Sequence, residues 1–75
     1  MKIIRSNIAS IRNNDPEMPR INLSIAREEI DGRNLYCVVN DVWEDTGPRF
    51  ASAQEAEEAI WLMWGTSGVW DLQYS

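Results

Sequence analysis

The fold is decided by residues 50–65, FASAQEAEEAIWLMWG, which form the strongest helix pattern in the chain. Ser52 and Glu55 stand in an S-x-x-E capping box, where the hydroxyl accepts from the Glu55 amide and the carboxylate accepts from the Ser52 amide. Gly65 is placed to end the helix in a left-handed conformation. Nearly every residue between these limits is a good helix former, so we predict one helix over this stretch.

One side of this helix is apolar enough to pack on a core. At about 100° per residue, Ala56, Ile60 and Met63 fall close together, and Ala59 and Trp64 flank them. The small residues come first and the large ones later. The start of the helix is therefore expected to approach a sheet closely.

Trp61 and Leu62 fall outside this stripe, on the far side of the helix beside Glu57 and Glu58. One interpretation is that the N-terminal segment or a second subunit covers them. The other is that they form an exposed apolar pair framed by acids, which binds a partner. Exposed apolar patches mark interaction surfaces, and Trp is frequent among interface anchors. A dimer interface would satisfy both interpretations.

The rest of the chain is typical of strands. Residues 21–25, Ile-Asn-Leu-Ser-Ile, alternate as in a half-buried strand that continues to about residue 29, and residues 35–43 and 69–74 form two more strands. Residues 1–12 are ambiguous, because their isoleucines fit both helical spacing and alternation. The β-branched side chains and the absence of a helix start favour a strand there.

Asp31 and Gly32 predict the turn of a hairpin, since a type I′ turn needs positive φ at both central residues. A two-residue turn would place Ile25 opposite Val38, Arg27 beside Tyr36, and Ile21 opposite Val42. A four-residue loop would shift this register, and the sequence leaves both open.

These elements predict an α+β fold in a single domain over residues 1–75. The architecture is an antiparallel sheet of three to four strands with one helix packed on one face, in the order β-β-β-α-β. In so small a chain the opposite face of the sheet must be partly exposed to solvent.

The net charge of −5 is distributed unevenly, because all seven basic residues precede Phe50. Residues 41–75 carry Arg49 against seven acidic residues, a net charge of −6, whereas residues 1–40 carry six basic and five acidic residues, a net charge of +1. The acidic half argues against nucleic acid or an anionic membrane as its direct partner. It fits a basic protein surface, or simply a soluble acidic domain.

The side chains that most enzymes need are missing from the sequence. There is no histidine, which removes the usual general base and the commonest metal ligand. Cys37 stands alone in an apolar run, so we expect a buried thiol and a reducing cytoplasm. We expect no enzyme activity, no cofactor and no metal, and no apolar run is long enough to span a membrane.

The sequence instead places acids beside indoles at two positions, the end of the hairpin and the far side of the helix. If the hairpin end lies near the helix start, the two groups would form one partner-binding surface. Its candidate residues are Asp41, Trp43, Glu44, Asp45, Glu57, Glu58, Trp61 and Leu62. The alternative is that Trp43 belongs to the core and the acids are only solvated.

The layout of the chain resembles small anti-CRISPR proteins of bacteriophages, especially those that bind the Cascade surveillance complex. The resemblance covers most of the chain: the MKIIR start, the INLSI strand, the hairpin to LYCVVNDVW, and the S-x-x-E helix ending in WLMWG. It departs at VWDLQY, a strand where one such family would have a second helix. The resemblance implies a non-enzymatic phage protein that lies in the cytoplasm of a bacterial host and covers a DNA-binding surface of Cas proteins.

The sequence therefore predicts a small acidic protein that binds and inhibits a basic nucleic-acid-processing complex. Two alternatives remain open. One is a self-associating structural or accessory domain with Trp61 and Leu62 buried in a homodimer. The other is a regulator of transcription machinery, which would use the same surface on a different partner.

Overall fold

The structure, a computed structural model, describes residues 1–42 and 47–75. Four strands and one helix follow one another in the order β-β-β-α-β, as predicted. The elements are β1 (Lys2–Asn13), β2 (Ile21–Ile30), β3 (Arg33–Asn40), α1 (Ala53–Ile60), a π-helical segment (Trp61–Gly65) that continues α1, and β4 (Trp70–Tyr74). The first segment is thus a strand.

The strands form one antiparallel sheet in the order β3-β2-β1-β4. The chain crosses from β3 over one face of the sheet as α1 and returns as β4 on the other side, beside β1. Phe50 holds the start of this crossing, because it exchanges two backbone hydrogen bonds with Tyr36 of β3, of 2.7 and 2.9 Å. This pairing sets where the helix begins over the sheet.

The core lies between α1 and the sheet face that it covers. The helix contributes Ala56, Ala59 and Ile60, which are buried as predicted. The sheet contributes mainly Ile11, Ile21, Leu23 and Ile25. Burial of each large side chain contributes roughly 1.5–3 kcal/mol, and the alanines let the helix lie close to the sheet.

The hairpin has the predicted two-residue turn. Asp31 and Gly32 have φ values of 52° and 75°, both positive as a type I′ turn requires. Ile25 lies opposite Val38 and Arg27 opposite Tyr36, which confirms that part of the register.

The far end of the hairpin was predicted wrongly, because Ile21 and Val42 are not paired. β3 ends at Asn40, opposite Leu23. The Val42 amide donates to the side chain of Asn40 over 2.9 Å, a local bond that turns the chain out of the ladder. Val42 is consequently exposed, and the predicted strand end at Trp43 lies outside the described residues.

The helix start follows the capping box with one difference. The Glu55 amide donates to the Ser52 hydroxyl over 3.1 Å, as predicted, but the Glu55 carboxylate accepts from the amide of Ala51 rather than from that of Ser52. Both bonds satisfy amides that have no partner inside the helix. The start of α1 is therefore well defined.

The sheet face away from the helix is largely polar and open at one end, where Arg12, Asn22, Asp71 and Gln73 are exposed. At the other end of that face Cys37 is buried, as the apolar run around it predicts.

Candidate partner-binding site

Trp61 and Leu62 lie on the outer side of the helix, as their positions outside the apolar stripe predict. Their exposed fractions are 52% and 72%. The N-terminal segment does not cover them in this chain, although Arg5 of that segment forms an ion pair with Glu57, one turn before Trp61. We refer to Glu57, Glu58, Trp61 and Leu62 as the helix patch.

The geometry of Trp61 depends on the last turn of the helix, which is π-helical and ends at Gly65. A Cβ at position 65 would lie 2.6 Å from Cδ2 and 2.7 Å from Cζ3 of the Trp61 indole. The ring therefore lies directly over the glycine. Single π-helical turns are rare, and they are frequent at functional sites.

The predicted left-handed conformation at Gly65 is wrong. The glycines with positive φ are Gly32, Gly47 and Gly68, and the chain turns after Thr66 with a φ of −104°. A glycine is required at position 65 because a larger side chain would overlap the Trp61 indole, and not because the backbone is left-handed there. The helix end is instead held by side chains: the Thr66 and Ser67 hydroxyls donate to the carbonyls of Leu62 and Trp64, respectively.

The two acids of the helix patch differ in their surroundings. Glu57 forms an ion pair with Arg5 of β1, with 2.6 Å between Nη1 and Oε1. Glu58 is exposed and accepts one hydrogen bond from the Gln54 side chain over 3.3 Å. Glu58 is therefore the one acid of the patch that forms no ion pair with a basic side chain in the described residues.

Asp41 is the one acid at the hairpin end that the structure describes, and it does not share a surface with the helix patch. Asp41 accepts from the backbone amide and the side-chain amide of Asn22, over 3.1 and 3.0 Å. Asn22 is exposed between the buried residues Ile21 and Leu23, so its side chain lies on the sheet face that the helix does not cover. Asp41 belongs to that other face. The remaining candidates, Trp43, Glu44 and Asp45, lie outside the described residues.

An open cleft of about 390 Å³ lies between the middle of β1, the end of β4 and the helix. Its lining residues are Ser6, Asn7, Ile8, Glu57, Tyr74 and Ser75. Asn7, which lines the cleft, has a positive φ of 51°, and the pairing of β1 with β2 shifts register between Arg5 and Ala9. Of these lining residues, sequence reasoning had named Glu57, as a candidate of the partner-binding surface, but it did not predict the cleft.

Within residues 1–42 and 47–75, no cluster of three or more acidic or cysteine side chains is arranged to hold a metal ion. In the same residues, no helix has both the length and the apolar character needed to cross a membrane.

The fold and the patch define a small α+β domain that presents an indole, a leucine and a carboxylate on the outer side of its helix. Comparisons with protein-family models, curated proteins and solved structures found no match to this chain.

Proposed function

We propose that this protein is a non-enzymatic binding domain that docks its helix patch on a basic protein surface and blocks it. The observation that carries the proposal is the exposure of Trp61 and Leu62 next to the carboxylate of Glu58. An indole and a leucine supply apolar area for anchoring, and the carboxylate selects a Lys or Arg on the partner. The π-helical segment fixes the indole over Gly65, so little freedom is lost on binding.

We further propose that the partner is a nucleic-acid-processing complex of the Cascade type. Surfaces that hold DNA are rich in Lys and Arg, because they neutralise phosphates. An acidic domain that occupies such a surface excludes DNA by charge and by volume. The layout resemblance to anti-CRISPR proteins supports this choice of partner.

The experiment is a DNA-binding titration of a purified Cascade complex in the presence of this protein. We expect wild type to reduce the DNA bound and the Glu58→Lys/Trp61→Ala variant to lose this effect. A matched control is Glu17→Lys/Met18→Ala, which makes the same kind of change at an exposed acid and an exposed apolar residue in the loop after β1. Glu57 is left intact, since its exchange would also break the ion pair with Arg5.

The result separates the class of function from the choice of partner. Unchanged DNA binding and no association with Cascade would overturn the Cascade proposal. A tagged pull-down from a bacterial lysate then tests the class. We expect a retained protein that the helix-patch variant loses and the control variant keeps. If both variants retain the same proteins as wild type, the helix patch is not the binding surface. Capture of RNA polymerase subunits would favour a regulator of transcription machinery.

A self-associating domain is the second candidate, because the exposure of Trp61 and Leu62 also fits a homodimer. It ranks below a basic partner, since two copies of the helix patch would bring Glu58 of each close to the other. Light scattering of wild type and of Trp61→Ala/Leu62→Ser distinguishes the two candidates, because a dimer formed by the helix patch should be lost in the variant.

A further inference from the structure

Two basic side chains lie opposite each other on the first two strands. Lys2 of β1 and Arg27 of β2 are direct partners in the antiparallel ladder, so both lie on one face of the sheet. Since Arg27 follows the buried core residue Ile25 by two positions, this is the face on which α1 packs. Like charges that lie directly opposite each other are destabilising. The pair therefore concentrates positive charge at this end of the sheet.

No acid of residues 1–42 and 47–75 compensates this pair. Three arginines form ion pairs in that part of the chain, and neither Lys2 nor Arg27 takes part in one. Glu29, two residues after Arg27 on the same face, is exposed and forms no ion pair with either of them. The chain has 12 acidic residues and a net charge of −5, so composition does not account for this arrangement. An anion bound between the two cations would compensate them.

Tyr36 extends the pair to a row of three hydrogen-bond donors, and we refer to Lys2, Arg27 and Tyr36 as the basic row. Tyr36 of β3 is the partner of Arg27 on its other side, so an ammonium, a guanidinium and a phenol follow one another across three strands. Directly opposite residues have Cβ atoms about 4.5–5.5 Å apart, so side chains of this length can reach one small ligand. Arg27 and Tyr36 are half-buried and Lys2 is exposed, so the row is open to solvent at its Lys2 end.

We propose that the basic row binds a phosphate group with two negative charges, either inorganic phosphate or the terminal phosphate of a small phosphate monoester. The two charges match the two cations, whereas a carboxylate or a phosphodiester carries one. A guanidinium donates to two phosphate oxygens at once, and an ammonium adds a point charge. The bound anion also offsets the repulsion between Lys2 and Arg27. Since the basic row shares no residue with the helix patch, this site is independent of the proposed function.

The test is an NMR titration of the protein with inorganic phosphate at constant ionic strength. We expect the backbone amides of the basic row to shift and to saturate with a dissociation constant on the order of 1 mM. Arg27→Gln should raise this constant at least about fivefold, because it removes the two-oxygen contact. The matched control is Arg33→Gln, since Arg33 is an exposed basic residue of β3 outside the row that likewise forms no ion pair in the described residues.

The pH dependence of binding separates a site for two charges from general attraction of anions. Phosphate has a second pKa of about 6, so it carries nearly two charges at a pH of about 7.5 and close to one at a pH of about 5. Phosphate should therefore bind at least about threefold more tightly at the higher pH. Sulfate carries two charges at both pH values, so its binding should not become tighter as the pH rises.

Stability measurements show whether a variant has lost the site or the fold. Phosphate should raise the melting temperature of wild type and leave that of Arg27→Gln unchanged, because a ligand that binds only the folded state stabilises it. Without phosphate, Lys2→Gln should unfold at the same urea concentration as wild type or at a higher one, since it removes one of two opposed charges.

Three outcomes would overturn the proposal. One is a wild-type protein whose amides show no saturating shifts up to about 50 mM phosphate. Another is an equal weakening by Arg27→Gln and Arg33→Gln, which would mean that net charge alone attracts the anion. The third is a single-stranded oligonucleotide without a terminal phosphate that binds the basic row more tightly than phosphate does, which would assign the row to a nucleic-acid backbone. Because the helix patch is unchanged in all these variants, failure here leaves the proposed function standing.

Discussion

Gly65 illustrates at the residue scale what a sequence pattern leaves undecided. A glycine after the last apolar residue of a helix is typical of a left-handed cap, and the sequence analysis predicted one. The structure has the Trp61 indole lying over the glycine instead. A close side-chain contact four residues back leaves no mark in the local sequence, whereas the position of Trp61 outside the apolar stripe followed from helical periodicity.

The contact between Gly65 and Trp61 predicts a non-additive pair of substitutions. Gly65→Ala should destabilise the fold by about 1–3 kcal/mol, because the new methyl group overlaps the indole. In a Trp61→Ala background the same change should be neutral or should stabilise by up to about 1 kcal/mol, because alanine is a better helix former than glycine. Urea denaturation of the four proteins measures this coupling energy.

Equal effects of Gly65→Ala in both backgrounds would show that the indole does not lie over Gly65. Fluorescence gives a second readout, since displacement of the Trp61 ring in Gly65→Ala should change its emission.

Among the helix and strands, several features that depend on local chemistry were predicted correctly. The bond from the Glu55 amide to the Ser52 hydroxyl, the type I′ turn and the strand over β2 each depend on a few residues, and each was confirmed. The errors came where a polar side chain or an unusual backbone angle interrupts a regular element. The Asn40 side chain ends β3 early, and Asn7 divides β1 into two halves. A positive φ at an asparagine inside a strand has no periodic signature.

Ser24 of β2 stabilises this division of β1. Its hydroxyl is buried and accepts from the Asn7 amide over 2.9 Å. We expect Ser24→Ala to destabilise the fold by about 1–3 kcal/mol, because the Asn7 amide then lacks its partner. Amide exchange at Asn7 should become faster. Chemical denaturation and exchange measured by NMR check both effects.

Ser10→Ala is the matched control for Ser24→Ala. Ser10 is half-buried in the regular half of β1, and its hydroxyl accepts from the Arg20 side chain, which also reaches Asp71. Its loss should have a smaller effect on stability and none on exchange at Asn7. Equal losses in the two variants would mean that the bond to Asn7 has no special role.

In the molecule as a whole, some basic and acidic side chains that lie far apart in sequence are close together in space. β1 lies beside β4 and under the helix, so Arg5 pairs with Glu57, and Arg20 pairs with Asp71. The acidic half predicted from the sequence is therefore less acidic as a surface. The sequence predicted which helix residues lie outside the apolar stripe, but it did not predict which acids form an ion pair with a basic side chain, because that depends on the strand order.

The helix patch predicts how binding to a basic partner responds to salt. Glu58 lies at its edge as an exposed charge, and such a charge acts mainly on the association rate. We expect Glu58→Lys to slow association with the partner retained in the pull-down, by a factor that shrinks as salt rises and screens the charges. Trp61→Ala should instead speed dissociation, at least about tenfold, with little dependence on salt, because it removes apolar contact area.

Interferometry on the immobilised partner at several salt concentrations separates the two rates, with Glu17→Lys as the control for net charge. If Glu17→Lys slows association as much as Glu58→Lys does, the net charge of the protein sets the association rate, and the position of Glu58 in the helix patch has no separate effect. If only Glu58→Lys slows association, the partner places Lys or Arg against this end of the helix. Association that does not respond to salt would remove the basic partner from the proposal and leave the indole and the leucine as its only support.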